Sequence, residues 1–208
     1  MNSVRVKICG LRRLQDVAAA VQAGADALGF VFVPASPRAI EPDVAADLCR
    51  RVPAFVSRVG LFLDQDAEYV RRVLQQVPLS LLQFHGRESA AYCRQFGLPY
   101  IKAINMDSVN SVAVAELSFD DAAGILVDSH EPGGMGGQGR PLDWSRISAG
   151  RLPLILAGGL NVDNVRSAVR MVQPWAVDVS SGVETAPGIK DADAIRRFIE
   201  EAKCEERS

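Results

Sequence analysis

The chain has 208 residues, 48% of them hydrophobic and 23% charged, with 23 Lys plus Arg against 25 Asp plus Glu and a formal net charge of -2. This is ample material for a large core and excludes the polar, highly charged composition of a disordered chain. The basic residues are scattered and no segment approaches the ~20 apolar residues that cross a bilayer, so neither nucleic acid nor a membrane is expected as a partner.

The opening MNSVRVKICG breaks the apolar run a secretory signal needs, and a cytoplasmic location is expected. From there, short β-branched runs alternate with longer segments of helical spacing. The runs are VRVKIC (4–9), ALGFVFV (27–33), SRVGLFL (57–63), LSLLQFH (79–85), YIKAI (100–104), GILVD (124–128), LPLILA (152–157) and AVDVS (176–180). Helix-like stretches such as LQDVAAAVQAG, AEYVRRVLQQV and ADAIRRFIEEA lie between them, several opening with a capping Asp, Ser or Asn. The fifth and sixth, VNSVAVAEL and LDWSRIS, carry the weakest helical signal. Eight such units with no Pro/Ser-rich linker predict one α/β domain over residues 1–208, a (β/α)₈ barrel with short loops, since the usual size is roughly 250 residues. An open doubly wound sheet is the alternative.

In such a barrel the working groups emerge at the carboxyl ends of the strands. The first run ends in Cys9 followed by Gly10, and Lys7 shares the parity of Cys9 and should also face inward. A nearby cation can lower a thiol's pKa and make it a base, but an inward lysine also suits an interior ion pair, for which Asp178 is the natural partner. Cys9 alone could be structural. Asp128 ends the sixth run after apolar residues, which suits a general acid or a loop cap. His85 ends the fourth at the same level and could do chemistry or bond the barrel wall. Cys49, Cys93 and Cys204 form no C-x-x-C pair, so neither zinc nor a disulfide framework is indicated.

Two glycine-containing turns, Ala157-Gly158-Gly159-Leu160-Asn161 and Ser180-Ser181-Gly182-Val183-Glu184, follow the last two runs. Paired there, they form a backbone cradle for a phosphate, so a phosphorylated small molecule is the expected partner. Arg38, in a loop after the second run, could grip a carboxylate with its forked guanidinium or be a solvated surface residue. The stretch from Pro132 to Gly139 reads as a lid.

Taken together, KICG (7–10), SPR (36–38), LQFHG (82–86), LVDS (126–129), a glycine lid closing on Leu142-Asp143-Trp144, LAGGLN (156–161), VDVSSGVE (177–184) and PGIKD (187–191) resemble the phosphoribosylanthranilate isomerase family over nearly the whole chain. The resemblance implies an Amadori rearrangement in tryptophan biosynthesis without metal or organic cofactor. It makes Asp128 the general acid at the ribose ring oxygen, Cys9 the general base at C2′ and Arg38 the holder of the anthranilate carboxylate. Gly159, Ser181 and Gly182, with Gly137 from the lid, would hold the phosphate, and His85 and Asp178 complete the substrate-contacting set. The chain would work as a monomer or homodimer. It departs from the family at Gln138, where a Thr or Ser is usual, and at Leu142, where an aromatic is common. Competing readings are another phosphate-binding barrel enzyme of tryptophan or histidine biosynthesis and a non-catalytic phosphosugar-binding barrel.

Overall fold

The computed structural model describes residues 3–105, 112–128, 144–147 and 150–204. Eight strands form a closed parallel barrel in chain order: β1 (Arg5–Cys9), β2 (Ala27–Val31), β3 (Ser57–Phe62), β4 (Leu81–Phe84), β5 (Tyr100–Asn105), β6 (Gly124–Asp128), β7 (Leu154–Leu156) and β8 (Ala176–Val179). Closure of this barrel excludes the open doubly wound sheet. Each strand lies within or next to one of the eight apolar runs, the difference being a residue or two where a run continues into a turn.

The described residues contain seven α-helices, six between barrel strands and one after them: α1 (Leu14–Gln22), α2 (Pro42–Cys49), α3 (Ala67–Gln76), α4 (Ala90–Arg94), α5 (Val112–Ser118), α6 (Val165–Val172) and, at the end, α7 (Ala192–Lys203). The expected caps form at three of them: Asp66, Ser89 and Asp191 accept the backbone N–H groups of Tyr69, Tyr92 and Ala194. Between β6 and β7 the described residues contain a single 3₁₀ turn, Trp144–Arg146, in agreement with the weak helical spacing of LDWSRIS. A two-stranded antiparallel pair, β9 (Glu184–Ala186) and β10 (Ile189–Lys190), follows β8 and lies outside the barrel.

Alternation along the strands divides the apolar side chains into two sets. Val6, Ile8, Leu28, Phe30, Leu82 and Phe84 belong to the large cluster between strands and helices, whereas Ile101, Ala103, Leu126, Ile155, Ala157 and Ala176 form a smaller cluster inside the barrel. Lys7, Cys9, Asp128 and Asp178 have the inward parity, and the β1–β8 register sets Lys7 opposite Asp178. The inner cluster is therefore the floor beneath a polar upper layer.

One buried strut braces the rim near His85. Lys102 on β5 donates to the carbonyls of Gly86 (2.6 Å) and Phe84 (3.4 Å) and to the Glu88 carboxylate (2.9 Å). Glu88 in turn accepts the N–H groups of Asp64 (2.8 Å) and Gly86 (2.9 Å). The loops after β3 and β4 are thus tied to β5 through two side chains that are 3% and 5% exposed. Lys102→Met leaves the carboxylate buried beside an apolar chain and is expected to lower the unfolding free energy by about 3 kcal/mol. A urea titration showing a loss below about 1 kcal/mol would contradict that role.

Candidate active site

The site is assembled from the carboxyl ends of β1, β6, β7 and β8, the turns after β1, β7 and β8, Arg38 from the loop after β2 and His85 at the end of β4. At β1 the chain turns at once after Cys9, because Gly10 adopts φ +78, a left-handed conformation that glycine tolerates. A side chain at Gly10 would also meet Arg38 Cδ at 2.7 Å and Ser180 Oγ at 3.1 Å. On the neighbouring strand a Cβ at Gly29 would be 2.7 Å from Cys9 Sγ, so that glycine makes the space the thiol occupies.

Below Cys9, the Lys7 ammonium donates to Asp178 Oδ1 at 2.9 Å, the interior ion pair that strand parity predicts. Burial pulls the Lys7 pKa down, but attraction to Asp178 and to the thiol outweighs it, and the pKa is raised. For Cys9 the balance falls the other way. Burial pushes the thiol up, and Asp178 adds to this; Lys7 and Lys190 oppose it without overcoming it. The cation beside Cys9 thus corrects only part of the burial penalty, and the lowered thiol pKa that Lys7 could have provided is not found.

Across the barrel, His85 Nε2 lies 3.6 Å from Asp128 Oδ2, and its Nδ1 lies 3.2 Å from Gln83 Nε2. Burial lowers the His85 pKa from 6.5, against the pull of Asp128, so the ring is neutral near pH 7. A neutral ring that accepts from the Gln83 amide at Nδ1 carries its proton on Nε2, on the side of Asp128.

The two glycine turns interlock. Gly158 and Gly159 have φ +79 and +70, and a Cβ at Gly182 would be 1.9 Å from the Leu160 carbonyl oxygen. Asn164 fixes the first turn by donating to the Gly159 carbonyl (2.9 Å) and accepting the Asn161 N–H (2.8 Å). Ser180 Oγ donates to the Cys9 carbonyl at 3.1 Å, which joins the second turn to β1. Arg38, Asp128, Gly159, Asp178 and Ser181 all line one small cleft of about 80 Å³.

The profile for "N-(5'phosphoribosyl)anthranilate (PRA) isomerase" matches residues 6–201. The chain belongs to this family. The N-(5'-phosphoribosyl)anthranilate isomerase of Thiobacillus denitrificans is 54% identical over 204 residues, covering 97% of this chain and 99% of that protein. Among solved structures, a phosphoribosyl anthranilate isomerase in complex with reduced 1-(o-carboxyphenylamino)-1-deoxyribulose 5-phosphate has a TM-score of 0.80 at 41% identity, covering 96% of this chain and 98% of that one. A monomeric form of the dimeric isomerase of Thermotoga maritima also scores 0.80, at 39% identity with the same coverage.

Of the residues that the isomerase resemblance singles out, Cys9 and Asp128 end their strands at one rim. Arg38, Gly159, Asp178 and Ser181 share the cleft with Asp128, and His85 stands beside it. Gly182 has its tightest approach against Leu160. Gly137, Gln138 and Leu142 lie outside the described residues. Arg38 is no solvated surface residue: it is 9% exposed and forks onto Glu184, with Nε to Oε1 at 2.9 Å and Nη2 to Oε2 at 2.7 Å. Glu184, Lys190 and Gln83 were not singled out by residue type or position, although the first two stand within the distinctive VDVSSGVE and PGIKD segments. Among the described residues no group of three or more His, Cys, Asp or Glu could hold a metal ion, and no helix is long and apolar enough to cross a membrane.

A raised thiol pKa has a measurable consequence. Cys9 is 4% exposed and Cys204 is exposed, so iodoacetamide is expected to label Cys204 first at pH 7. Labelling of Cys9 is expected to accelerate by close to tenfold per pH unit between about pH 7 and 9, as the thiolate fraction grows. A Cys9 labelling rate that is flat over this interval would mean a thiol already ionised.

Proposed function

We propose that the chain isomerises N-(5'-phosphoribosyl)anthranilate by an Amadori rearrangement in which Asp128 is the acid and Cys9 the base. Asp128 protonates the ribose ring oxygen, the C1′–O bond breaks, and the anthranilate nitrogen's lone pair forms the Schiff base. Cys9, as thiolate, removes the C2′ proton. The C2′–H electrons form the C1′–C2′ double bond, the C=N electrons return to nitrogen, and the resulting enolamine takes a proton at C1′ as C2′ becomes the ketone. The product is 1-(2-carboxyphenylamino)-1-deoxyribulose 5-phosphate, a step of tryptophan biosynthesis.

One observation supports these roles above the rest: a thiol and a carboxyl group end β1 and β6 of the same parallel barrel, beside a cleft that also contains a guanidinium and two glycine turns. Arg38 holds the anthranilate carboxylate, and the backbone around Gly159, Ser181 and Gly182 holds the phosphate. Asp178 and His85 face the sugar between them. A substrate with an anion at each end is then oriented before any proton moves, which contributes to the rate through positioning as well as through acid and base. The relative solved with a reduced phosphorylated product bears on this reading because the same fold there accepts the same ligand class.

All these groups come from one chain, so the mechanism holds for a monomer and a homodimer alike. The whole chain acts as one catalytic domain in the cytoplasm, with a small molecule as its partner.

Fluorescence of enzymatically generated phosphoribosylanthranilate reports turnover directly. Cys9→Ala and Asp128→Asn are each expected to reduce kcat by at least about 10²-fold. Survival of near-normal turnover in both variants would sink the assignment of acid and base.

A further inference from the structure

The cluster behind Arg38 is more elaborate than a single ion pair. Glu184, whose side chain is 5% exposed, accepts four donors. Arg38 supplies Nε (2.9 Å) and Nη2 (2.7 Å), Lys190 supplies Nζ (2.7 Å), and Gly188 supplies its backbone N–H (3.2 Å). Lys190, with a side chain 0% exposed, spends its other donors on the Ser180 carbonyl (3.0 Å) and hydroxyl (3.3 Å). Ser180 Oγ in turn donates to the Cys9 carbonyl.

Burial pushes the Glu184 carboxyl up, but the hydrogen bonds from Arg38 and Lys190 outweigh it and hold the group ionised. A planar guanidinium bound along its Nε–Nη2 edge cannot rotate, and its Nη1–Nη2 edge remains for a second planar anion. Arg38 lines the cleft, and its Cδ packs over Gly10 at a distance no side chain there would allow. The small β9–β10 pair thereby has a purpose: it folds Gly188 and Lys190 back around the Glu184 carboxylate.

We propose that Glu184 is a positioning residue for the isomerisation, fixing the orientation of Arg38 and through it the carboxylate end of the substrate. This rests on the reading of Arg38 as the carboxylate's holder. Glu184 touches no reacting atom. It acts by removing the rotational freedom that Arg38 would otherwise lose each time substrate binds.

Calorimetric titration separates this role from a purely structural one. Two ligands are compared: reduced 1-(o-carboxyphenylamino)-1-deoxyribulose 5-phosphate and its phenylamino counterpart, which lacks the carboxylate. Both are titrated into the full chain and into Arg38→Ala, Glu184→Gln and the double variant. Each single variant is expected to weaken the carboxylate ligand by at least about tenfold and the other by less than about twofold, and the double variant to be within about twofold of Arg38→Ala. In turnover, Glu184→Gln is expected to raise KM with kcat within about threefold of normal.

If Arg38→Ala leaves the carboxylate ligand unaffected, the Arg38 reading itself fails. If Arg38→Ala discriminates between the ligands but Glu184→Gln weakens both alike or neither, or if the two losses multiply, the positioning role is overturned and Arg38 keeps its own. Should Glu184→Gln not fold, Glu184→Asp keeps the charge and shortens the reach. It is expected to show the same discrimination, and its absence overturns the proposal equally.

Discussion

The buried pair between Lys7 and Asp178 is the constraint on which the site depends, because it forms where the last strand meets the first. Closing the barrel sets these residues opposite each other, and both are nearly inaccessible to water. Removing two charges from water costs several kcal/mol per ion, which attraction alone recovers only with good geometry, so such a pair is poor evidence of added stability. Its value lies in where it stands. The ammonium is the cation nearest the thiol from below, and Asp178 keeps it there, so the charge near Cys9 is set by the fold.

Above that pair, contacts closer than a Cβ would allow hold the rim together. Gly10 lets Arg38 and Ser180 close over Cys9, Gly29 makes room for its sulfur, and Gly182 lets the β8 turn press on the Leu160 carbonyl. In each case a hydrogen atom occupies the place where a methyl group would force one rim element away from another. The glycine turns, the arginine loop and the thiol are consequently one packed unit, and the strut from Lys102 to Glu88 gives the His85 side of the opening a comparable brace.

How far this could be read from the residues depended on how local each cause was. The eight runs and their order were legible because the strand period is local, and the Lys7–Asp178 pair followed from parity once a closed barrel was assumed. Helix α5 and the 3₁₀ turn before β7 were faint because seven and three residues carry too little periodicity. The partner of Arg38 was not legible: Glu184 is 146 residues away, and an arginine in a proline-flanked loop looks the same whether it meets water or a buried carboxylate. The direction of the Cys9 shift escaped for a related reason. Lys7 was visible two residues away, but the burial that outweighs it belongs to the assembled barrel.

The formal charges around the opening are arranged asymmetrically. Arg38, Lys190 and Glu184 together leave one positive charge beside the β8 turn, Lys7 and Asp178 cancel, and the neutral His85 adds nothing on the Asp128 side. An anionic substrate entering a partly enclosed cleft is drawn toward the positive cluster and the backbone of the glycine turns, and low-dielectric walls strengthen that pull. Asp128 lines the same cleft, so the orientation that satisfies the anions also decides which part of the sugar lies near the carboxyl group. Among the described residues the charged groups are held in place by their hydrogen bonds, which is what lets the binding of an anion set the orientation of the rest of a ligand.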